Sequence, residues 1–196
     1  MCIYCELNLP LTYFHLMHPS PLKKNLFNEF PIQRVFSLYI FEESALVESL
    51  LNELKYRGNK SVGQFFGQKL ASLIVDSKIQ FDGIIGVPLH PKRKRARGFN
   101  QVDLIGRSAG QALKIKYHGN LLQRIKHTPK LSQAKQDRSI ILKDAFQINP
   151  KVQLAKGHYL LLDDILTTAA TLKACSQQIL KIDLLSLSIA TIVYRN

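Results

Sequence analysis

Cysteine is scarce. Three among 196 residues, an odd number in a chain this long, exclude the disulfide framework of a small secreted domain. No apolar run reaches the length needed to span a bilayer, and no charged-then-apolar leader precedes a small-residue cleavage site. The expectation is a protein without membrane insertion, working in the cytoplasm. Internal repeats and low-complexity stretches are missing too. Acidic residues are in short supply: 14 Asp plus Glu face 27 Lys plus Arg, a net charge of +13. Such an excess favours polyanionic partners, whether nucleic acid, phosphorylated small molecules or an anionic membrane face, over a merely basic surface. What is present, 46% hydrophobic and 21% charged residues, is the composition of one globular domain with a sizeable core.

Residues 1–31 read as an irregular segment, broken by Pro10, Pro19, Pro21 and Pro31 and holding two of the cysteines. From residue 32 to 196 the pattern sharpens into one domain. Val35–Phe41 is β-branched and aromatic, a strand. Leu46, Val47, Leu50, Leu51 and Leu54 share one helical face, and Phe65, Phe66, Leu70, Leu73 and Ile74 repeat that period in a second helix ending near Asp76. Ile84–Val87 is a short buried strand stopped by Pro88, and a third helix is expected over about 100–113. Leu121–Ile125 and Phe146–Ile148 read as short strands, Tyr159–Leu162 as a strand stopping at Asp163-Asp164, about 171–181 as a helix, and Leu184–Tyr194 as a closing strand. Helices alternating with fully apolar strands predict an α/β fold with a mostly parallel central sheet flanked by helices. Ligands then bind beyond the carboxyl ends of the strands. Residues 88–101 and 163–171 put chemistry there.

The second of these delivers two carboxylates, Asp163 and Asp164, to the sheet edge, then a small, hydroxyl-rich loop, Thr167-Thr168-Ala169-Ala170-Thr171, then a helix. Backbone N–H groups, threonine hydroxyls and the helix N-terminus suit a phosphate. The carboxylates suit sugar hydroxyls beside it, or Mg²⁺ held through water. The plainer reading is a strand end followed by a threonine helix cap.

This stretch resembles the ribose-phosphate motif of type I phosphoribosyltransferases: two acidic residues, two more, then Thr-Thr-Gly-x-Thr. Val87-Pro88-Leu89-His90-Pro91 running into Arg97-Gly98-Phe99-Asn100-Gln101, with Leu54-Lys55-Tyr56-Arg57-Gly58, resembles one branch of them, the ComF family of competence-related, amidophosphoribosyltransferase-like proteins. The motifs run in the family's order over roughly residues 33–196. The resemblance implies a type I phosphoribosyltransferase-like fold, with Asp163 and Asp164 as catalytic residues facing the ribose hydroxyls of 5-phosphoribosyl pyrophosphate. Thr167, Thr168, Ala169, Ala170 and Thr171 would cradle the 5′-phosphate, and Mg²⁺ would accompany the pyrophosphate. The family's loop glycine is Ala169 here. A negative φ would leave the loop serviceable, whereas a positive φ would strain the methyl-bearing residue.

Lys92, Arg93, Lys94, Arg95 and Arg97, with Asn100 and Gln101, are expected to bind an anion, either pyrophosphate or a nucleic-acid backbone; a solvated loop is the alternative. Lys55, Arg57 and Lys60 add a second basic group. Phe99 reads equally as a base-stacking residue and as packing under the next helix. The stretch 124–138 is expected to close over substrate as a hood. Cys2 and Cys5 form half of a zinc site, a remnant of the two such pairs many relatives carry. Three readings stand side by side: a start lying upstream, completion by His15 and His18, or loss of the site. Cys175 reads as a buried hydrophobe. Two functions follow. One is a transferase moving a phosphoribosyl group to an unspecified acceptor; the other is a single-stranded DNA-binding protein of competence using the same fold without catalysis. Oligomeric state is not legible.

Overall fold

The computed structural model describes residues 3–41, 45–126, 142, 144–183 and 185–195. Among them, β1 (Ile32–Ile40), β2 (Gly83–Gly86), β3 (Lys116–His118), β4 (Leu122–Arg124), β5 (Phe146–Ile148), β6 (Gly157–Leu166) and β7 (Leu185–Tyr194) form two sheets. The larger has the order β1-β7-β6-β2-β3 with every pairing parallel. The smaller is the antiparallel pair β4–β5. The helices are α1 (Ile3–Leu7), α2 (Pro21–Leu26), α3 (Ala45–Asn52), α4 (Lys60–Asp76), α5 (Pro91–Arg97), α6 (Gln101–Leu113) and α7 (Ala170–Ile179). The α/β class read from the sequence is the one the chain adopts. No helix among the described residues is long and apolar enough to cross a membrane.

β2 and the middle of β6 and β7 are buried on both faces, so their burial shows no alternation; the two polar residues in the middle of β7, Ser188 and Thr191, hydrogen-bond to His158 and to Phe36 O. On the pleat, Ile84, Leu160 and Leu162 point to one face, where Leu51, Leu54, Phe66, Leu70 and Ile105 of α3, α4, α6 and the turn between α3 and α4 pack on them. Ile85, Leu161 and Ile189 point to the other, against Leu172, Cys175 and Ile179 of α7 and Leu22 of α2. Cys175 is buried there, as expected of a small hydrophobe.

Four elements differ from the sequence reading. β6 does not stop at Asp163: Asp163 pairs with Thr191, and the ladder runs on to Leu166 opposite Tyr194. β3 is a three-residue edge strand, too short and polar to show a period. The basic run is the helix α5, because Pro91 occupies its first turn and the His90 ring accepts a hydrogen bond from the Lys92 N–H at 3.2 Å. The N-terminal segment contains α1, α2 and a 3₁₀ turn at Phe14–Leu16. It docks on the sheet: Thr12 N–H donates to Leu38 O at 2.9 Å and Ile40 N–H to Pro10 O at 3.0 Å, covering part of the β1 edge.

After α3 the chain widens into a π-helical turn, Glu53–Arg57, closed by Gly58 at φ +62°. A β-carbon at Gly58 would lie 2.9 Å from the Phe99 ring. Conformation and space both demand glycine. Gly58→Ala should lower stability by about 2 kcal/mol, read as a lower urea midpoint at unchanged slope.

Candidate functional site

The carboxyl ends of β2 and β6 bring three stretches together, and each residue of the two basic motifs has a definite task there. Leu54 fills the core, Lys55 reaches back over the sheet edge, Tyr56 points outward, and Arg57 bonds Glu53 at 2.7 Å. Forty residues on, Gly98 at φ +83° ends α5, and Phe99 seats on Gly58. Asn100 caps α6, accepting from Val102 N–H at 3.2 Å and donating to Val87 O at 3.0 Å. Gln101 accepts a hydrogen bond from Arg97 and donates to Asp164 Oδ2 at 2.9 Å. Lys55 Nζ meets the same oxygen at 3.0 Å. Asp164 is therefore where the motifs join.

The two carboxylates differ. Asp164, 8% exposed, continues the face of Leu162 and is held by Lys55 and Gln101. Burial pushes it up, but the Lys55 charge and hydrogen bond, the Gln101 amide and a hydrogen bond with Asp163 pull it below the usual carboxylate range. Asp163 is half-buried and lines a small cavity with Thr167, Thr168, Ala169, Ala170 and Thr171. Burial, then the charge of Asp164, hold it well above the ordinary value of 3.8, although it accepts a hydrogen bond from Asp164 N–H at 2.8 Å. Asp164 therefore gives up its proton at lower pH than Asp163 does. Asp163 alone opens onto the hydroxyl loop.

That cavity is about 70 Å³, room for a group of roughly two waters' volume. Thr167 and Thr168 are exposed, Ala169 and Ala170 buried. Ala169 stands at the N-cap of α7 with φ +60° and no side-chain cap, so the positive φ that favours glycine is present. The first-turn N–H groups of α7 have no partner within the helix.

The cations divide. Arg93 and Arg97 face Lys55 and Tyr56 across a cleft of about 310 Å³. Lys94 faces a separate cleft of about 440 Å³ lined by Asn100, Asp103 and Arg124, where the Tyr117 hydroxyl donates to Asp103 at 2.8 Å. Lys92 and Arg95 lie on the exposed surface of α5. Arg57 pairs with Glu53 while its side chain stays largely exposed, and the amides of Asn100 and Gln101 bond Val87, Val102 and Asp164, which ties these two into the framework of the site. Phe99 packs, and the aromatic left in solvent is Tyr56, which the sequence reading passed over although it stands between two cations. Of the cysteine pair, Cys5 is half-buried in α1 and Cys2 lies outside the described residues; among these, no cluster of three or more His, Cys, Asp or Glu could hold a metal. Most of the expected hood, 127–138, also lies outside them.

The fold and this edge define an α/β protein whose acid-ended strand leads into a hydroxyl loop. No family model matches the chain. It is 34% identical over 103 residues to Competence protein F of Haemophilus influenzae, covering 52% of this chain and 45% of that protein, less than half of the relative's length. It is 27% identical over 189 residues to DNA utilization protein YhgH of Escherichia coli O6:H1, covering 92% of this chain and 78% of that one. Both relatives carry names from competence and DNA use, the context of the family that the motifs resemble. Among solved structures it is similar to adenine phosphoribosyltransferase from Leishmania tarentolae, at 12% identity and TM-score 0.47 over 81% of this chain and 91% of that one.

The opposite shifts predict opposite phenotypes. The native state holds the Asp163 proton more tightly than the unfolded chain does. Its contribution is therefore full below the ordinary carboxylate range and lost as pH rises through the native value. Asp163→Asn should raise the urea midpoint at pH 8 and leave it unchanged at pH 3. Asp164 contributes above its unfolded value, and that contribution is lost as pH falls. Asp164→Asn should cost about 2 kcal/mol at pH 7, because Lys55 loses its partner, and less as the solution is acidified.

Proposed function

We propose that the chain binds 5-phosphoribosyl pyrophosphate at the carboxyl end of β6, with the 5-phosphate in the Thr167–Thr171 loop and the ribose hydroxyls at Asp163. The observation that carries this reading is the shared cavity of Asp163 and that loop at the head of α7. Three features support it. The uncapped N-terminus of α7 suits a dianion. Asp163, which lines the cavity, presents carboxyl oxygens that accept hydrogen bonds from sugar hydroxyls. The ionised Asp164, fixed by Lys55, supplies negative charge of the sign that a phosphoribosyl cation would need during transfer. Mg²⁺ fits as a companion of the diphosphate: it is commonly held by one or two carboxylates plus substrate oxygens, and Asp163 is the open carboxylate here. The resemblance implies transfer to an acceptor; which acceptor follows from nothing in the site.

A second reading, engagement of nucleic acid, is favoured by the cations of α5 at the same edge. The names of the relatives, competence and DNA utilization, support it.

Calorimetric titration of 5-phosphoribosyl pyrophosphate with Mg²⁺ tests the first reading. Saturable binding by the wild type should weaken at least about tenfold in Asp163→Asn. Ala169→Gly should tighten it, while stability moves by no more than about 1 kcal/mol, because relief of the positive φ offsets the loss of a buried methyl. No heat from either wild type or Ala169→Gly rejects the reading.

A further inference from the structure

The cleft between the π-helical turn and α5 contains a feature that neither phosphate binding nor the core explains. Tyr56 is 70% exposed, yet it sits on a turn fixed on both sides: Leu54 is buried in the core, and Phe99 locks Gly58. The Arg97 guanidinium lies over its ring, 5.7 Å from the centroid, and is tethered by Gln101, which is tethered by Asp164. The result is an exposed aromatic surface on an anchored turn, edged by cations. The cleft of about 310 Å³ has Tyr56 and the Ala96 methyl as its apolar part and Lys55, Arg93 and Arg97 as its charged part, and no carboxylate among the described residues lines it. That volume falls at the lower end of small-molecule sites, the scale of one nucleotide.

An aromatic face with an adjoining guanidinium binds a planar π system, and ammonium and guanidinium groups around it bind phosphate. A nucleobase joined to a phosphate has both. A duplex keeps its bases stacked and paired inside, so only an unpaired base can lie on Tyr56. Lys92 and Arg95 are exposed on other faces of α5 and add positive charge around the cleft without lining it.

We infer that the cleft between Tyr56 and α5 is a binding site for single-stranded nucleic acid, with one unpaired base stacked on Tyr56 and its phosphate held by Arg93 and Arg97. The inference deepens the nucleic-acid reading above and is independent of the phosphoribosyl one. Lys55 lines this cleft while paired with Asp164, so the cleft is joined to the acid-ended strand through that lysine.

The test uses the full chain and a labelled single-stranded oligonucleotide of mixed sequence, followed by anisotropy across a salt series. Tyr56→Ala should weaken binding about tenfold without changing the salt slope, and Tyr56→Phe should bind as the wild type does. Arg97→Ala should weaken it and flatten the slope of log affinity against log salt by about 0.7, the share of one phosphate contact. The chain has no tryptophan, so Tyr56→Trp creates a lone reporter whose emission should be quenched on binding. Binding of the strand with Tyr56→Ala within twofold of wild type and no quenching in Tyr56→Trp overturns the stacking site while leaving the nucleic-acid reading intact. Equal affinity for duplex, or full affinity for a nucleoside monophosphate, overturns the assignment to a single strand. No binding of any oligonucleotide removes both.

Discussion

A carboxylate almost closed off from water is tolerated only with a partner, and Lys55 is the partner of Asp164. Most of the site follows from that pairing. To reach the oxygen, Lys55 must leave the regular α3 path, and the π-helical turn lets it do so while Leu54 stays in the core. The wider turn needs Gly58 to end it, and Phe99 rests where a side chain on Gly58 would be. Phe99 fixes the α5–α6 junction, which aims Gln101 at the same oxygen and Arg97 at Tyr56. Two motifs forty residues apart and a strand end sixty residues further on are one hydrogen-bonded assembly.

The assembly also separates two identical side chains. Both aspartates are adjacent on one strand, but the pleat sends them to different surroundings. One meets an ammonium and an amide; the other meets a desolvated cavity and its neighbour's charge. Environments that drive two titratable groups apart are how a fold assigns them separate tasks. Here Asp164 is structurally bound by Lys55 and Gln101, and Asp163 is left as the group with a free face.

Much of this was readable in the sequence, for reasons that also explain what was not. The apolar runs of β2, β6 and β7 and the helical faces of α4 and α6 announce a sheet buried on both sides, because burial dictates their composition. α5 escaped because five cations in six residues carry no apolar period; its helicity comes from Pro91 and the His90 cap. β3 escaped because an edge strand of three residues needs little hydrophobicity. Asp163, Asp164 and the threonine loop were found by residue type and spacing, yet spacing says nothing of direction. The diverging surroundings of the two carboxylates, the hydrogen bonds that tie Asn100 and Gln101 into the framework, and the exposure of Tyr56 beside a packed Phe99 are all matters of tertiary contact. Ala169 was legible as a departure, but its positive φ was not.

Lys55 draws Asp164 below the ordinary carboxylate range while burial and the Asp164 charge lift Asp163 above it. Carboxyl carbon shifts of the two aspartates, followed by NMR through a pH titration, measure this without any ligand. The account predicts one resonance titrating below the ordinary aspartate value and one well above it, with the lower rising toward normal in Lys55→Met. Two resonances near the ordinary value, or a lower one indifferent to Lys55, would contradict it.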